Sequence, residues 1–138
     1  MNAPPDVLVV DDDPDLIEIL QIMLRTSGYE VRCARNGKEA IEAVTQKAPA
    51  VILLDMLMPV MDGSECARVL RARFGRTVPI VVMTAAEHAR ARADEVGGVD
   101  DVLSKPFEMD DLVRVVDRYV SKRASSGSSR PFNDQRSI

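Results

Sequence analysis

The chain has 138 residues, of which 46% are hydrophobic and 29% charged, the size and balance of one ordinary globular domain that can build a core without staples. Its net charge of -4 and pI near 5.0 argue against a nucleic-acid surface, which needs clustered Lys and Arg to displace counterions from phosphates. No apolar run is long enough to cross a membrane, and Pro4, Pro5 and Asp6 interrupt any basic-then-apolar leader, so a cytoplasmic protein with no membrane partner is expected. Cys33 and Cys66 have neither CxxC spacing nor histidine company and read as ordinary small hydrophobes rather than zinc ligands or a disulfide.

Val7 to Val10 is an unbroken aliphatic run, as expected of a strand buried on both faces of a parallel sheet. Asp13 is placed to cap a helix that opens at Pro14, repeats Leu16, Leu20 and Leu24 at helical spacing with Ile17, and stops at Gly28. Val31 and Cys33 alternate in a short second strand. Asn36 then caps a helix carrying Ala40, Ile41 and Val44, with Pro49 just beyond its end. Val51 to Leu54 repeats the buried-strand pattern, and Ser64 opens a helix with Ala67, Leu70 and Phe74 on one side. Ile80 to Met83 is the fourth strand. The helix expected from Glu87 to Val96 has few large apolar residues and should be the least firmly packed, and Leu112, Val115, Val116 and Tyr119 mark the last helix after a short strand at Val102 and Leu103. Five βα units predict a doubly wound α/β fold with a five-stranded parallel sheet and about five helices. Beyond Lys122 the chain turns to Ser, Gly, Arg and Pro, so the expected division is a domain over 1–123 and a flexible polar tail over 124–138.

Four of these apolar runs end on residues that phosphoryl chemistry can use: Asp11 and Asp12, Asp55, Thr84, and Lys105 before Pro106. In an open parallel sheet ligands bind outside the carboxyl ends of the strands, so three carboxylates, a hydroxyl and an ammonium should converge there. Clustered carboxylates repel one another and are tolerable mainly where they hold a hard cation such as Mg²⁺. Asp13 reads as a helix cap rather than a ligand. Asp100 and Asp101 read as loop residues before the fifth strand, and the single histidine, His88, has no second ligand in sequence. Met56, Met58 and Met61 offer either an adaptable partner surface or loop packing.

The stretches Val9-Val10-Asp11-Asp12-Asp13-Pro14, Asp55-Met56-Leu57-Met58-Pro59-Val60-Met61-Asp62-Gly63, Thr84-Ala85 and Lys105-Pro106-Phe107 together resemble the receiver domains of two-component response regulators, over roughly Asp6 to Lys122. The resemblance implies a flavodoxin-like (βα)5 fold with strand order 2-1-3-4-5, and a signalling domain rather than an enzyme. It implies that Asp55 is the phosphoacceptor, with Mg²⁺ (or Mn²⁺) held by Asp12, Asp55 and the backbone carbonyl of Leu57 and assisted through water by Asp11. Lys105 and Thr84 would engage the phosphoryl oxygens, and small Ala85 would leave room for them. The Lys105–Pro106 peptide would be cis, an isomer that X-Pro bonds make accessible. Gly63 would shape the loop after Asp55 by tolerating unusual backbone conformations. The donor would be a histidine kinase or histidine phosphotransfer protein, and the recipient of the signal an output protein whose identity stays open. The chain would act as a monomer or a weak, phosphorylation-dependent dimer.

Two departures from the family stand out. Val102 occupies the position, two residues before Ser104, where receivers usually carry an aromatic ring that moves on phosphorylation, and valine has no ring to carry the signal that way. Leu57 and Ala86, at positions that tune phosphoryl lifetime in the family, cannot orient a water. With no output domain in the sequence the chain would act as a stand-alone regulator, and two alternatives stay beside that reading. One is that this is the receiver piece of a longer response regulator. The other, from a different class, is a haloacid-dehalogenase-type phosphohydrolase with Asp11 as nucleophile, a reading weakened because no substrate-selecting cap fits the length and no acidic pair ends a later strand.

Overall fold

A computed structural model describes residues 4–56, 63–85 and 99–128, with side chains followed as far as 121. Chain order runs β1 (Asp6–Val10), α1 (Pro14–Thr26), β2 (Glu30–Ala34), α2 (Gly37–Gln46), β3 (Val51–Asp55), α3 (Gly63–Phe74), β4 (Ile80–Ala85), β5 (Asp101–Lys105) and α4 (Met109–Ser128). The strands form one parallel sheet in the order β2-β1-β3-β4-β5, the flavodoxin-like arrangement expected. Four helices are present among the described residues. The helix expected from Glu87 to Val96 lies outside them, as do Leu57, Met58, Met61, Ala86 and His88. The last helix runs on to Ser128, past the boundary expected at residue 123.

Strand alternation divides the core in two. Leu8, Val10, Ile52, Leu54, Ile80 and Val82 face α2 and α3, while Val7, Val9, Val51, Leu53, Val81 and Met83 face α1 and α4. Both faces of β1, β3 and β4 are therefore covered, which is why these strands read as unbroken apolar runs. The helix signals act as expected: Asp13 accepts the amides of Asp15 and Leu16, Asn36 accepts that of Glu39, and Gly28 takes φ +95° to let the chain leave α1.

Several residues sit differently from their sequence reading. Cys66 is buried, but Cys33 is exposed and accepts a hydrogen bond from Gln21 Nε2 at 2.9 Å. Met56 is core, so it cannot belong to a partner surface. Asp101 opens β5 instead of preceding it, because its carboxylate pairs with Arg118 at 2.8 Å, and Asp100 accepts the Ile80 amide at 2.8 Å while also pairing with Arg71.

Gly63 matters for a reason other than backbone freedom, since its φ is not in the left-handed region. A Cβ there would stand 2.5 Å from the Asp55 carbonyl oxygen and 2.6 Å from Met56 Cα, so the start of α3 can approach the end of β3 only without a side chain. Its N–H donates to the Met56 carbonyl at 2.9 Å across that contact. Gly63→Ala should therefore cost about 1–3 kcal/mol, the range for overpacking, and displace the backbone that carries Asp55. Urea denaturation checks this against Gly28→Ala, which has open space for its methyl and should lose only about 1 kcal/mol from left-handed strain.

Candidate functional site

Two strand ends, those of β1 and β3, deliver the acidic residues. Asp11 follows β1 and is held by its own N–H, which donates to the Ala34 carbonyl of β2 at 3.0 Å; Asp55 ends central β3; Asp12 projects beside them and is exposed. One carboxylate oxygen from each of the three lies within 4.8 Å of the others. From β5, Lys105 Nζ donates to Asp55 Oδ1 at 2.9 Å and stands 3.9 Å from Asp11 Oδ2. Thr84 is buried at the end of β4, in register with Ser104, and the adjoining pair Ala85 and Lys105 closes the site's far side. The Lys105–Pro106 peptide is cis, as the resemblance implied. Val102 sits lower on β5, opposite Val82, half-buried against the α2 and α3 core.

Electrostatics here are unbalanced. Burial pushes the Asp11 carboxyl up to about 6; the hydrogen bond from the Asp13 amide at 3.0 Å opposes the rise, and the neighbouring Asp55 charge adds to it. Asp11 Oδ2 is buried and accepts no hydrogen bond, which is costly for a carboxylate. Like charges about 4 Å apart repel by roughly 1–4 kcal/mol at surface-like dielectric, and among the described residues one lysine faces the three clustered carboxylates. An orphaned buried oxygen facing two further carboxylates fits a divalent hard cation in both charge and donor chemistry.

Asp11, Asp12, Asp55 and Lys105 meet at the carboxyl end of the sheet, where strand register also places Thr84 and Ala85 beside Ser104 and Lys105. Leu57 lies outside the described residues. The close approach at Gly63 was not legible, because a short-range steric need leaves no mark in sequence beyond the glycine itself.

Residues 7–117 match the response regulator receiver domain. The chain belongs to this family. It is 41% identical over 126 residues to the transcriptional regulatory protein PrrA of Mycobacterium tuberculosis, covering 91% of this chain but 54% of that protein. The chain thus spans about half the length of the first curated relatives it matches. A second relative, an uncharacterized 14.6 kDa protein of Leptolyngbya boryana, is 39% identical over 119 residues that make up 85% of this chain and 91% of its own. Among solved structures, the receiver domain of a sensor histidine kinase from Pseudomonas aeruginosa superposes with a TM-score of 0.78 at 32% identity, covering 86% of this chain and 99% of that one; it holds a magnesium ion in its active site cleft.

A carboxyl held near 6 when folded, against an ordinary value of 3.8, takes up protons on folding between those limits. In metal-free protein Asp11 should therefore cost nothing below about pH 4, cost progressively more up to about pH 6, and impose a constant penalty above it. Asp11→Asn should abolish that penalty. Denaturant unfolding in EDTA should find the variant gaining on wild type as pH rises from 4.5 to 7.5; a difference that stays flat would contradict the assignment.

Proposed function

We propose that this receiver accepts a phosphoryl group on Asp55 from a histidine kinase or histidine phosphotransfer protein and thereby changes its affinity for an output partner. The observation that carries the reading is the Asp55 carboxylate itself. It ends the central strand, is almost wholly buried, bonds Lys105 at 2.9 Å and shares a 4.8 Å cluster with Asp11 and Asp12. Asp11, the nucleophile in a phosphohydrolase reading, keeps one oxygen on the Asp13 amide and stands farther from Lys105, and family membership also favours Asp55.

In the transfer, one Asp55 oxygen forms the new O–P bond as the N–P bond of the donor histidine breaks; the imidazole keeps the electron pair and is protonated from solvent. Lys105 exchanges its contact with Asp55 for one with the incoming phosphoryl oxygens and so follows the charge. The Thr84 hydroxyl donates to another of those oxygens, and Ala85 leaves them space. Asp11, Asp12, Asp55 and the Leu57 carbonyl would hold Mg²⁺ or Mn²⁺, which when bound offsets charge between attacking and leaving groups. Signalling therefore needs no catalytic turnover on a separate substrate. Whether the chain works alone, as the size of the Leptolyngbya relative favours, or as the receiver of a longer regulator, as PrrA favours, the acceptor chemistry is the same. Among the described residues no helix is long and apolar enough to cross a membrane.

Acetyl phosphate with Mg²⁺ should add one hydroxylamine-labile phosphoryl group by intact mass, and Asp55→Asn should prevent it. Normal labelling of that variant, or label mapped to Asp11, would overturn the reading. Mg²⁺ at a hundredfold excess over its dissociation constant should stabilise wild type by about 2.7 kcal/mol. Asp12→Ala should lose most of this response in thermal melts while becoming more stable without metal. Lys105→Met and Thr84→Ala should keep the metal response yet lose the amide shifts that a beryllofluoride mimic produces. A loss of metal affinity in Thr84→Ala as large as in Asp12→Ala would contradict its role.

A further inference from the structure

Helix α1 has two apolar faces, and the core uses only one. Ile17, Leu20 and Leu24 are buried against the sheet, yet Ile19 and Ile22 are 48% and 60% exposed, the most exposed large hydrophobic side chains among the described residues. At about 100° per residue, Asp15, Ile19, Ile22 and Thr26 fall on a single outward stripe, with the alternating four- and three-residue spacing of a helix–helix seam. Leu16 and Met23 flank it on one side, where with Ile19, Lys105, Pro106 and Phe107 they line an open groove of about 450 Å³. Glu18 and Arg25 flank it on the other. Both are exposed and make no ion pair with any described residue, since seven helical positions separate them by about 10.5 Å along the axis.

This stripe is symmetric about its own middle. Asp15 and Thr26, Ile19 and Ile22, Leu16 and Met23, and Glu18 and Arg25 are each disposed about a point near residues 20 and 21, with acid toward one end and base toward the other. Such a surface is complementary to itself turned through 180°, the requirement for an isologous interface. We propose that the outer face of α1 docks a second copy of this chain antiparallel, Ile19 packing on Ile22 of the partner subunit and Glu18 facing Arg25 of the partner subunit. A copy seated there stands beside Lys105 and Pro106 and narrows the approach of a protein phosphoryl donor to Asp55. The pairing itself does not depend on phosphorylation.

Sedimentation equilibrium of the unphosphorylated full chain tests it. The interface is small, so the weight-average mass should climb from that of the 15.2 kDa monomer toward twofold between about 20 and 500 µM. Glu18→Arg and Arg25→Glu should each remain monomeric, because each places like charges across both symmetry-related contacts. Mixed one to one, the two variants should regain wild-type association as heterodimers, and the double variant should regain it alone. Ile22→Asp, an exposed change that leaves the core intact, should abolish association. A wild-type chain that stays monomeric throughout overturns the pairing and leaves this face to another protein, as does self-association of either single charge variant at the wild-type level.

Discussion

Crowding of like charge at one end of a buried sheet is the constraint on which the rest of this molecule depends. Asp11, Asp12 and Asp55 present oxygens within 4.8 Å of one another, and the only ammonium among the described residues that pairs with them is Lys105. Left to relax, these carboxylates would separate. They are held because each belongs to the end of a strand whose preceding residues are buried on both faces, so moving the charge means moving the core. Repulsion is thus stored by packing, and a cation or a phosphoryl group with its counterion can release it.

Lys105 can serve as the opposing charge only because β5 is tied down at its other end. There Asp101 pairs with Arg118 at 2.8 Å, and Tyr119 donates to the Asp100 carbonyl at 2.9 Å. Asp100 in turn accepts the Ile80 amide and pairs with Arg71, which also donates to the Val78 carbonyl at 2.8 Å. The N-terminal pole of the sheet is built the same way. Arg32 pairs with Asp6 at 2.7 Å and donates to the Ala43 and Lys47 carbonyls at the end of α2. Breaking the more buried Arg32–Asp6 or Arg71–Asp100 pair leaves an uncompensated charge, whereas Arg118 is exposed and its pair with Asp101 contributes less. The ion-pair clamps gather at one pole of the sheet and the clustered carboxylates at the other.

Helix α1 joins the two themes. Its N-terminus is capped by Asp13, whose own amide donates to Asp11 at 3.0 Å, so the helix start and the acidic cluster share backbone. The inner face fills the core over β1 and β3, and the outer face carries apolar residues past the site as far as Lys105, Pro106 and Phe107. Anything that seats on that outer face therefore lies within reach of the acceptor chemistry.

The elements, their order and the meeting of Asp11, Asp12, Asp55, Thr84 and Lys105 were all legible in the sequence, because period-two and period-3.6 patterns specify strands and helices locally. A parallel sheet then brings every strand's carboxyl end to one side. Helix caps at Asp13 and Asn36 were legible for the same reason: their partners lie within three residues. What only the tertiary structure decided involves contacts between distant segments. Gly63 is required by the backbone of Asp55 and Met56 pressing on it, Met56 turns inward, Cys33 outward, and Asp100 and Asp101 become anchors because Arg71, Arg118 and Tyr119 arrive from other helices. The rise of the Asp11 carboxyl to about 6 belongs here as well, since burial is a property of the packed whole and no local pattern encodes how much solvent a carboxylate keeps.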